Sequence, residues 1–326
     1  MEAKAAISSE TDEIRALLSE AQEHLDAIRQ DRQTASELLF DVPAGELPPE
    51  ISKRQGLKIL AAEALKKPRI ERSLDDFRAL VSAAHIDEDW DAMEERASAL
   101  LYLFGAEATD EILSEALISR VVALGRQGKI EEAAKICDEI IDKFDGVNTD
   151  SITVHVVWAL YNRGVAYGKT NETEKAIATY QSVVDRYRAA AVPAYDRPIV
   201  QSLINLSARL GMQERYKEAV ERLELAEQII DGSQNEKIQE IREVALFNRA
   251  SLLAKMNKVT EAVVALARYR EFAGSLDCEK IRESSDFDTI RHRPTFRKFL
   301  KDNGCDPDAK PDDNPDPEPA AGPDSD

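Results

Sequence analysis

Four segments of this chain carry a small residue in the same local setting, each 43 residues after the one before: Ala133 in KIEEAAKIC, Ala176 in ETEKAIATY, Ala219 in RYKEAVERL and Ala262 in KVTEAVVAL. Other positions keep that register. Leu117, Leu160, Leu203 and Leu246 recur upstream, followed by Val121, Gly164, Ser207 and Ala250, which are mostly small, and by Leu124, Tyr167, Leu210 and Leu253. Cys137, Tyr180, Leu223 and Leu266 follow four residues after each alanine. Within a unit the apolar positions recur at helical intervals, as in Leu160, Gly164, Tyr167 and then Ala176, Tyr180, Val183. A polar break (GRQGK, GKTNE, GMQER, AKMNK) separates the two sets. Each unit therefore predicts a helix, a tight turn and a second helix. The small residues let the two helices approach while the larger ones fill the groove beside them. One such hairpin has too little partner surface for its apolar face, so the period predicts a stack of hairpins with a shared core.

The run Leu160-Tyr161-Asn162-Arg163-Gly164-Val165-Ala166-Tyr167, followed by Glu174-Lys175-Ala176-Ile177 and Tyr180, resembles the tetratricopeptide repeat, and the whole resembles bacterial proteins built as arrays of it. Ile130, Tyr216 and Val259 supply the large residue the family places before its second helix, whereas Thr173 does not. The family unit is usually about 34 residues. The longer unit here predicts longer helices and loops, for example over Asp145–Ser151 and Ala189–Pro198, and the family's terminal Pro is missing from all four units. The resemblance implies an all-α fold, a right-handed superhelical array of helix-turn-helix hairpins, and a non-enzymatic module that binds an extended peptide segment of a protein partner in its concave groove.

The expected organisation is a long N-terminal helix in 1–40, a hinge loop in 41–56 and a short helix with a degenerate hairpin in 57–113. Four repeats in 114–274, capping helices in 275–302 and a disordered acidic Pro/Asp-rich tail in 303–326 complete it. In the degenerate hairpin Phe77, Val81, Ala84 and Trp90 fall near repeat positions, with Met93 in place of the small Ala. Downstream, Phe287, Ile290, Phe296 and Leu300 are placed to cover the last hairpin, with Pro294 opening a helix. Ile14, Leu18, Ala21, Leu25, Ile28, Ala35 and Leu39 form a stripe over Ser9–Leu39 that packs on the array or, as the alternative, pairs two copies as a coiled-coil homodimer through residues 9–39.

Asn162, Asn205 and Asn248 occupy one position in three successive units, two residues before the small core residue, and so point away from the core seam. In tetratricopeptide arrays that position faces the concave groove. An Asn side chain offers a donor and an acceptor together, which matches a peptide backbone, and similar ladders hold extended peptides in other superhelical repeat proteins. The same register puts Trp158, Tyr161, Val165, Gln201, Ile204, Phe247 and Ser251 along the groove, together with Ala208, Met212, Val244, Lys255, Ser119 and Arg126. Chaperone-binding members hold a carboxylate there with Lys and Arg; Gln201 and Asn205 occupy such positions here, so that clamp is not carried over. Arg120, Arg163 and Arg249 repeat at one position and are expected to pair with Glu between hairpins.

Catalytic signals are weak. His24, His85, His155 and His292 form no HExxH and no ligand cluster. Gly125-Arg126-Gln127-Gly128-Lys129 lacks the first Gly of a phosphate loop and has Ile130 where Ser or Thr is needed. Asp87–Asp91 begins like a calcium loop, but Ala92 and Ser98 replace the required Gly and Glu. No enzyme, metal or cofactor is expected. Cys137, Cys278 and Cys305 are odd in number, far apart and without CxxC spacing, which predicts a reducing compartment and neither a disulfide framework nor a zinc site, with Cys137 and Cys278 acting as small hydrophobes. A net charge of −19 argues against a nucleic-acid partner. Eight acids against Lys310 in 303–326, and first-turn acids such as Glu131, Glu132, Glu174, Glu218 and Glu261, account for much of it. The N-terminal residues lack an apolar signal region and no apolar run approaches membrane-spanning length, so a cytoplasmic protein with no membrane partner is expected. A peptide-responsive regulatory sensor would use the same groove.

Overall fold

The computed structural model describes residues 53–306 except Asn148, with side chains from Gln55 onward. The predicted long helix over residues 9–39 and the tail beyond Asp306 lie outside the described residues. All regular structure among the described residues is helical. The chain divides into two compact units, Met1–Arg96 and Ala97–Asp326.

In the first unit, α1 (Lys53–Lys66) and α2 (Leu74–Ile86) pack through Ala61, Ala64, Leu80 and Ala83. The helix α1 begins inside the expected hinge and ends before Pro68, whose ring bars another helical turn. Arg72 donates from Nε to the Ala64 and Lys67 carbonyls at 3.1 and 3.2 Å, satisfying orphan acceptors at the end of α1. Ser73 and Asp76 form a reciprocal capping box at the start of α2. The next helix, α3 (Trp90–Phe104), contains the boundary between the units. Phe77, Val81, Ala84 and Met93 are buried, as the degenerate hairpin requires.

The second unit holds four hairpins: α4 (Asp110–Arg126) with α5 (Ile130–Phe144), α6 (Asp150–Lys169) with α7 (Thr173–Tyr187), α8 (Pro193–Met212) with α9 (Tyr216–Gly232), and α11 (Arg242–Lys255) with α12 (Val259–Ala273). A four-residue helix, α10 (Glu236–Gln239), bridges the third and fourth. The added length of the repeat lies chiefly in α6 and α8, 20 residues each. The segment read as a loop up to Pro198 is helical from Pro193, because Pro at the first helical position gives up a donor that had no partner there.

All four turns close identically. The third residue past the first helix donates to the carbonyl five residues back: Lys129 to Leu124, Glu172 to Tyr167, Arg215 to Leu210 and Lys258 to Leu253, at 2.8–3.0 Å. The residue before it is left-handed, namely Gly128, Asn171, Glu214 and Asn257 (φ +57° to +78°). This is a Schellman cap, and it recurs in the degenerate hairpin, where Glu88 is left-handed and Asp89 donates to the Ala84 carbonyl at 2.9 Å. One turn geometry with one register stacks the hairpins uniformly, and their core runs unbroken from Leu113 to Cys305.

The array is capped by α13 (Cys278–Glu283), α14 (Asp288–Arg291) and α15 (Pro294–Asp302). Phe287 stacks on Phe296 at 5.7 Å and meets Phe247 edge-on at 5.8 Å. One sequence expectation is corrected here: Cys278 and Cys305 are joined as a disulfide, with Cα atoms 5.4 Å apart. The fold of the cap brings together two residues 27 apart that no spacing rule links. Cys137 is free and buried, and burial pushes its thiol up to about 12.

Candidate functional site

The three asparagines sit one on each of α6, α8 and α11, and each is half-buried. Residues four before and three after lie on the same helical face. On α8 that face runs Gln201, Asn205, Ala208 and Met212, progressing from half-buried to 70% exposed. On α6 it runs Trp158, Asn162 and Val165, all half-buried. On α11 it runs Val244, Asn248, Ser251 and Lys255, with Val244 45% exposed and Ser251 buried.

The column one residue before the asparagines behaves differently. Ile204 and Phe247 are only 6% exposed. Phe247 meets Tyr269 at 5.9 Å and carries the Lys280 ammonium over its ring at 4.0 Å. These two side chains therefore serve the core, because a residue one step earlier on a helix turns by about 100°, enough to leave the open face; Ser251, on the asparagine face itself, is also buried. Tyr161, in the same column, keeps partial exposure and packs at 6.1 Å from Tyr180 and edge-on at 5.6 Å to Trp158.

Asn205 Nδ2 donates to the hydroxyls of Tyr161 and Tyr180 at 3.4 and 3.3 Å. Asn162 Nδ2 donates to the Trp158 carbonyl one turn back at 2.9 Å. Both amides thus commit a donor to the array, and neither bond uses the side-chain oxygen. Burial raises the Tyr161 and Tyr180 hydroxyl pKa values, so both stay protonated and can donate in turn. Arg197 on α8 lies over the Trp158 ring at 5.5 Å, and its Nε and the Gln201 Oε1 are buried without a partner among the described residues. Arg197 went unnoticed in the sequence because the start of α8 was read as loop; its place one turn before Gln201 is the signal that would have found it.

Of the repeating arginines, Arg249 pairs with a Glu, Glu227, at 3.0 Å, whereas Arg163 pairs with an Asp, Asp138, at 2.8 Å. Glu227 is buried, and desolvation raises its carboxyl despite Arg249 and Arg268 beside it.

His155 was read as uninformative, yet its Nδ1 lies 2.8 Å from the Ser114 hydroxyl. Ser114 spends its only donor on the Glu111 carbonyl at 2.9 Å, so His155 donates from Nδ1. Burial lowers the imidazole to about 4. Ser114 is completely buried, so the pair stitches α4 to α6 and offers no accessible nucleophile. Among the described residues no group of three or more His, Cys, Asp or Glu is placed to hold a metal ion, and no helix is long and apolar enough to cross a membrane. The face presented by α6, α8 and α11 is one of amide groups, aromatic edges, the aliphatic Val165 and Val244 and one thioether, with the Lys255 ammonium at its end paired to Asp286.

A family model for the tetratricopeptide repeat matches residues 158–189, which are the end of α6 and the whole of α7. The crystal structure of BtubC (BKLC) from P. vanneervenii superposes with a TM-score of 0.51 at 13% identity, covering 67% of this chain and 87% of that one. The structure of Bacillus thuringiensis PlcR in complex with the peptide PapR7 and DNA gives a TM-score of 0.46 at 14% identity, covering 77% of this chain and 94% of that one. No curated protein sequence matches the chain. The chain is a tetratricopeptide-like helical repeat protein.

Proposed function

We propose that the chain is a non-enzymatic interaction module that holds an extended peptide segment of a partner protein along the α6–α8–α11 face. The observation that carries this reading is the row of half-exposed amides, Asn162, Gln201, Asn205 and Asn248, on three consecutive first helices. Each supplies hydrogen-bonding capacity at the spacing of the repeat, flanked by Trp158 and Tyr161, residue types that anchor interfaces. Backbone-directed amides bind with little regard to peptide side chains, while Trp158, Val165 and Met212 give local apolar preference. The repeat fold supports a protein or peptide partner of this kind.

The test is peptide-display selection against the full chain, repeated with the double variant Asn205→Ala/Asn248→Ala. Losing one good hydrogen bond costs about 1 kcal/mol, so affinity of selected peptides should fall roughly 5- to 30-fold with two removed. Equal enrichment by wild type and by a double variant with unchanged helical content would refute the reading.

A further inference from the structure

At two of the three junctions between consecutive second helices, acid–arginine pairs close the seam. Asp145, just past α5, pairs with Arg186 of α7. Glu227 and Asp231 of α9 both pair with Arg268 of α12, Asp231 at 3.1 Å. The junction between α7 and α9 is built from the same register with different residues. One 43-residue step back from Glu227 stands Val184, from Asp231 stands Arg188, and from Arg268 stands Leu225. Both acids and their arginine are gone, and an open cleft of about 470 Å³ takes the place of the pair, lined by Val184, Asp185, Arg188, Ala189, Arg222 and Leu225.

The charges in that cleft are unbalanced. Neither Arg188 nor Arg222 has a carboxylate within ion-pair distance among the described residues, and Arg222 Nε is buried without a hydrogen-bond partner. Of the nearby acids, Asp185 lines the cleft and accepts from Gln181 Nε2 at 2.7 Å, while Glu218 is bonded by Arg215 Nε and Nη2 at 2.8 and 2.7 Å and feels the charge of Arg222 only at longer range. In a chain of net charge −19, two guanidinium groups against the single lining carboxylate of Asp185, over an apolar floor of Val184 and Leu225, form a local exception. A guanidinium binds a carboxylate through two parallel charge-assisted bonds, stronger than neutral ones.

We propose that the α7–α9 cleft is a ligand site for a small carboxylate carried on an apolar body, the carboxylate meeting Arg188 and Arg222 as the acid this junction lacks and the apolar part resting on Val184 and Leu225. The site lies on the second-helix layer and is separate from the α6–α8–α11 face, so it stands or falls independently of the peptide groove.

The experiment titrates the ¹⁵N-labelled full chain with octanoate and N-acetyl-L-leucine, and with 1-octanol, N-acetyl-L-leucinamide and acetate as controls that lack the charge or the apolar arm. Shifts should concentrate in amides of 181–191 and 218–226. Removing the charge, the arm, or either guanidinium (Arg188→Gln, Arg222→Gln) should weaken binding at least about tenfold, which is 1.4 kcal/mol. Arg188→Asp restores the acid of the neighbouring junctions, gives Arg222 an internal partner, and should abolish binding while keeping the fold. Octanoate alone binding assigns an acyl carboxylate, N-acetyl-leucine alone an amino-acid carboxylate, and both outcomes support the site. Equal binding of the neutral controls, indifference to Arg188→Gln and Arg222→Gln, or no shifts in α7 and α9 would overturn it. Asn205→Ala/Asn248→Ala should leave these titrations unchanged.

Discussion

Gly164 and Gly168 sit one turn apart on α6, and the structure predicts opposite outcomes when each is changed to Ala. A Cβ on Gly164 would lie 2.6, 2.8 and 3.0 Å from three atoms of the Tyr180 ring. That ring is 1% exposed, holds Asn205 through its hydroxyl, and packs near Tyr161, so it has no room to retreat. Overpacking of this kind costs about 1–3 kcal/mol, and the relief of helical glycine returns about 1 kcal/mol, leaving Gly164→Ala destabilised by up to about 2 kcal/mol. A Cβ on Gly168 would also come within 2.6 Å of an atom, but that atom is the Arg209 Nη2 at the end of a flexible side chain. Arg209 swings aside at little cost, so Gly168→Ala should gain up to about 1 kcal/mol from propensity alone. Gly125, on α4 with nothing within 4 Å of the added Cβ, should behave like Gly168. Urea midpoints followed by far-ultraviolet circular dichroism measure all three. The decisive control is Tyr180→Leu, which removes the ring: in that background Gly164→Ala should turn stabilising. If Gly164→Ala still destabilises there, the clash with Tyr180 is not the cause and the reasoning fails.

Glu214 holds the left-handed turn position that Gly128, Asn171 and Asn257 occupy elsewhere, so Glu214→Gly should raise stability by about 0.5–1 kcal/mol; a lowered urea midpoint would count against the strain argument. His155 titrates at about 4 when folded against 6.5 when unfolded, so between those values the unfolded chain binds the extra proton. The stability His155 contributes is complete above pH 6.5 and is lost as pH falls toward 4, on the order of 3 kcal/mol at the limit. Melting temperatures from pH 7 to 4.5 should therefore fall more steeply for wild type than for His155→Gln, and parallel slopes would refute this. The Cys278–Cys305 bond closes a 27-residue loop, worth about 3 kcal/mol by loop entropy. Cys278→Ser, or dithiothreitol on the wild type, should speed amide exchange across α15; unchanged exchange would show that the cap holds without the bond.

The period, the hairpins and the turn positions were legible in the sequence because each is enforced four times by the same contacts. Leu124, Tyr167, Leu210 and Leu253 mark where every first helix ends, and their carbonyls accept the bond that closes the turn. What depended on a single local decision was less legible. Pro193 and Pro198 read as loop residues, since proline usually ends a helix, yet Pro193 starts one. That shift hid Arg197 over Trp158. The Tyr161, Ile204 and Phe247 column was assigned to the groove, and the structure turns Ile204 and Phe247 inward because α12 and the cap supply aromatic partners for Phe247 that a repeat pattern does not contain. The disulfide was illegible for a related reason: α13–α15 fall outside the repeat, so no register relates Cys278 to Cys305.

The same register also identifies where the array departs from itself. At 43-residue steps one position reads Asp145, Arg188, Asp231 and Gly274, an acid on either side of a single arginine. Asp145 and Asp231 hold arginines at their junctions, while Arg188 stands at the equivalent place with no acid to meet it. Stacking alone favours the pair, since leaving Arg222 Nε buried and unbonded costs about 1–3 kcal/mol. A second anomaly, the buried and unpartnered Arg197 Nε and Gln201 Oε1, lies beside Trp158 on the opposite layer. Both exceptions fall where the second and third hairpins meet, so the middle of the array is where we place its recognition chemistry, with the outer hairpins and the cap serving to hold that junction in register.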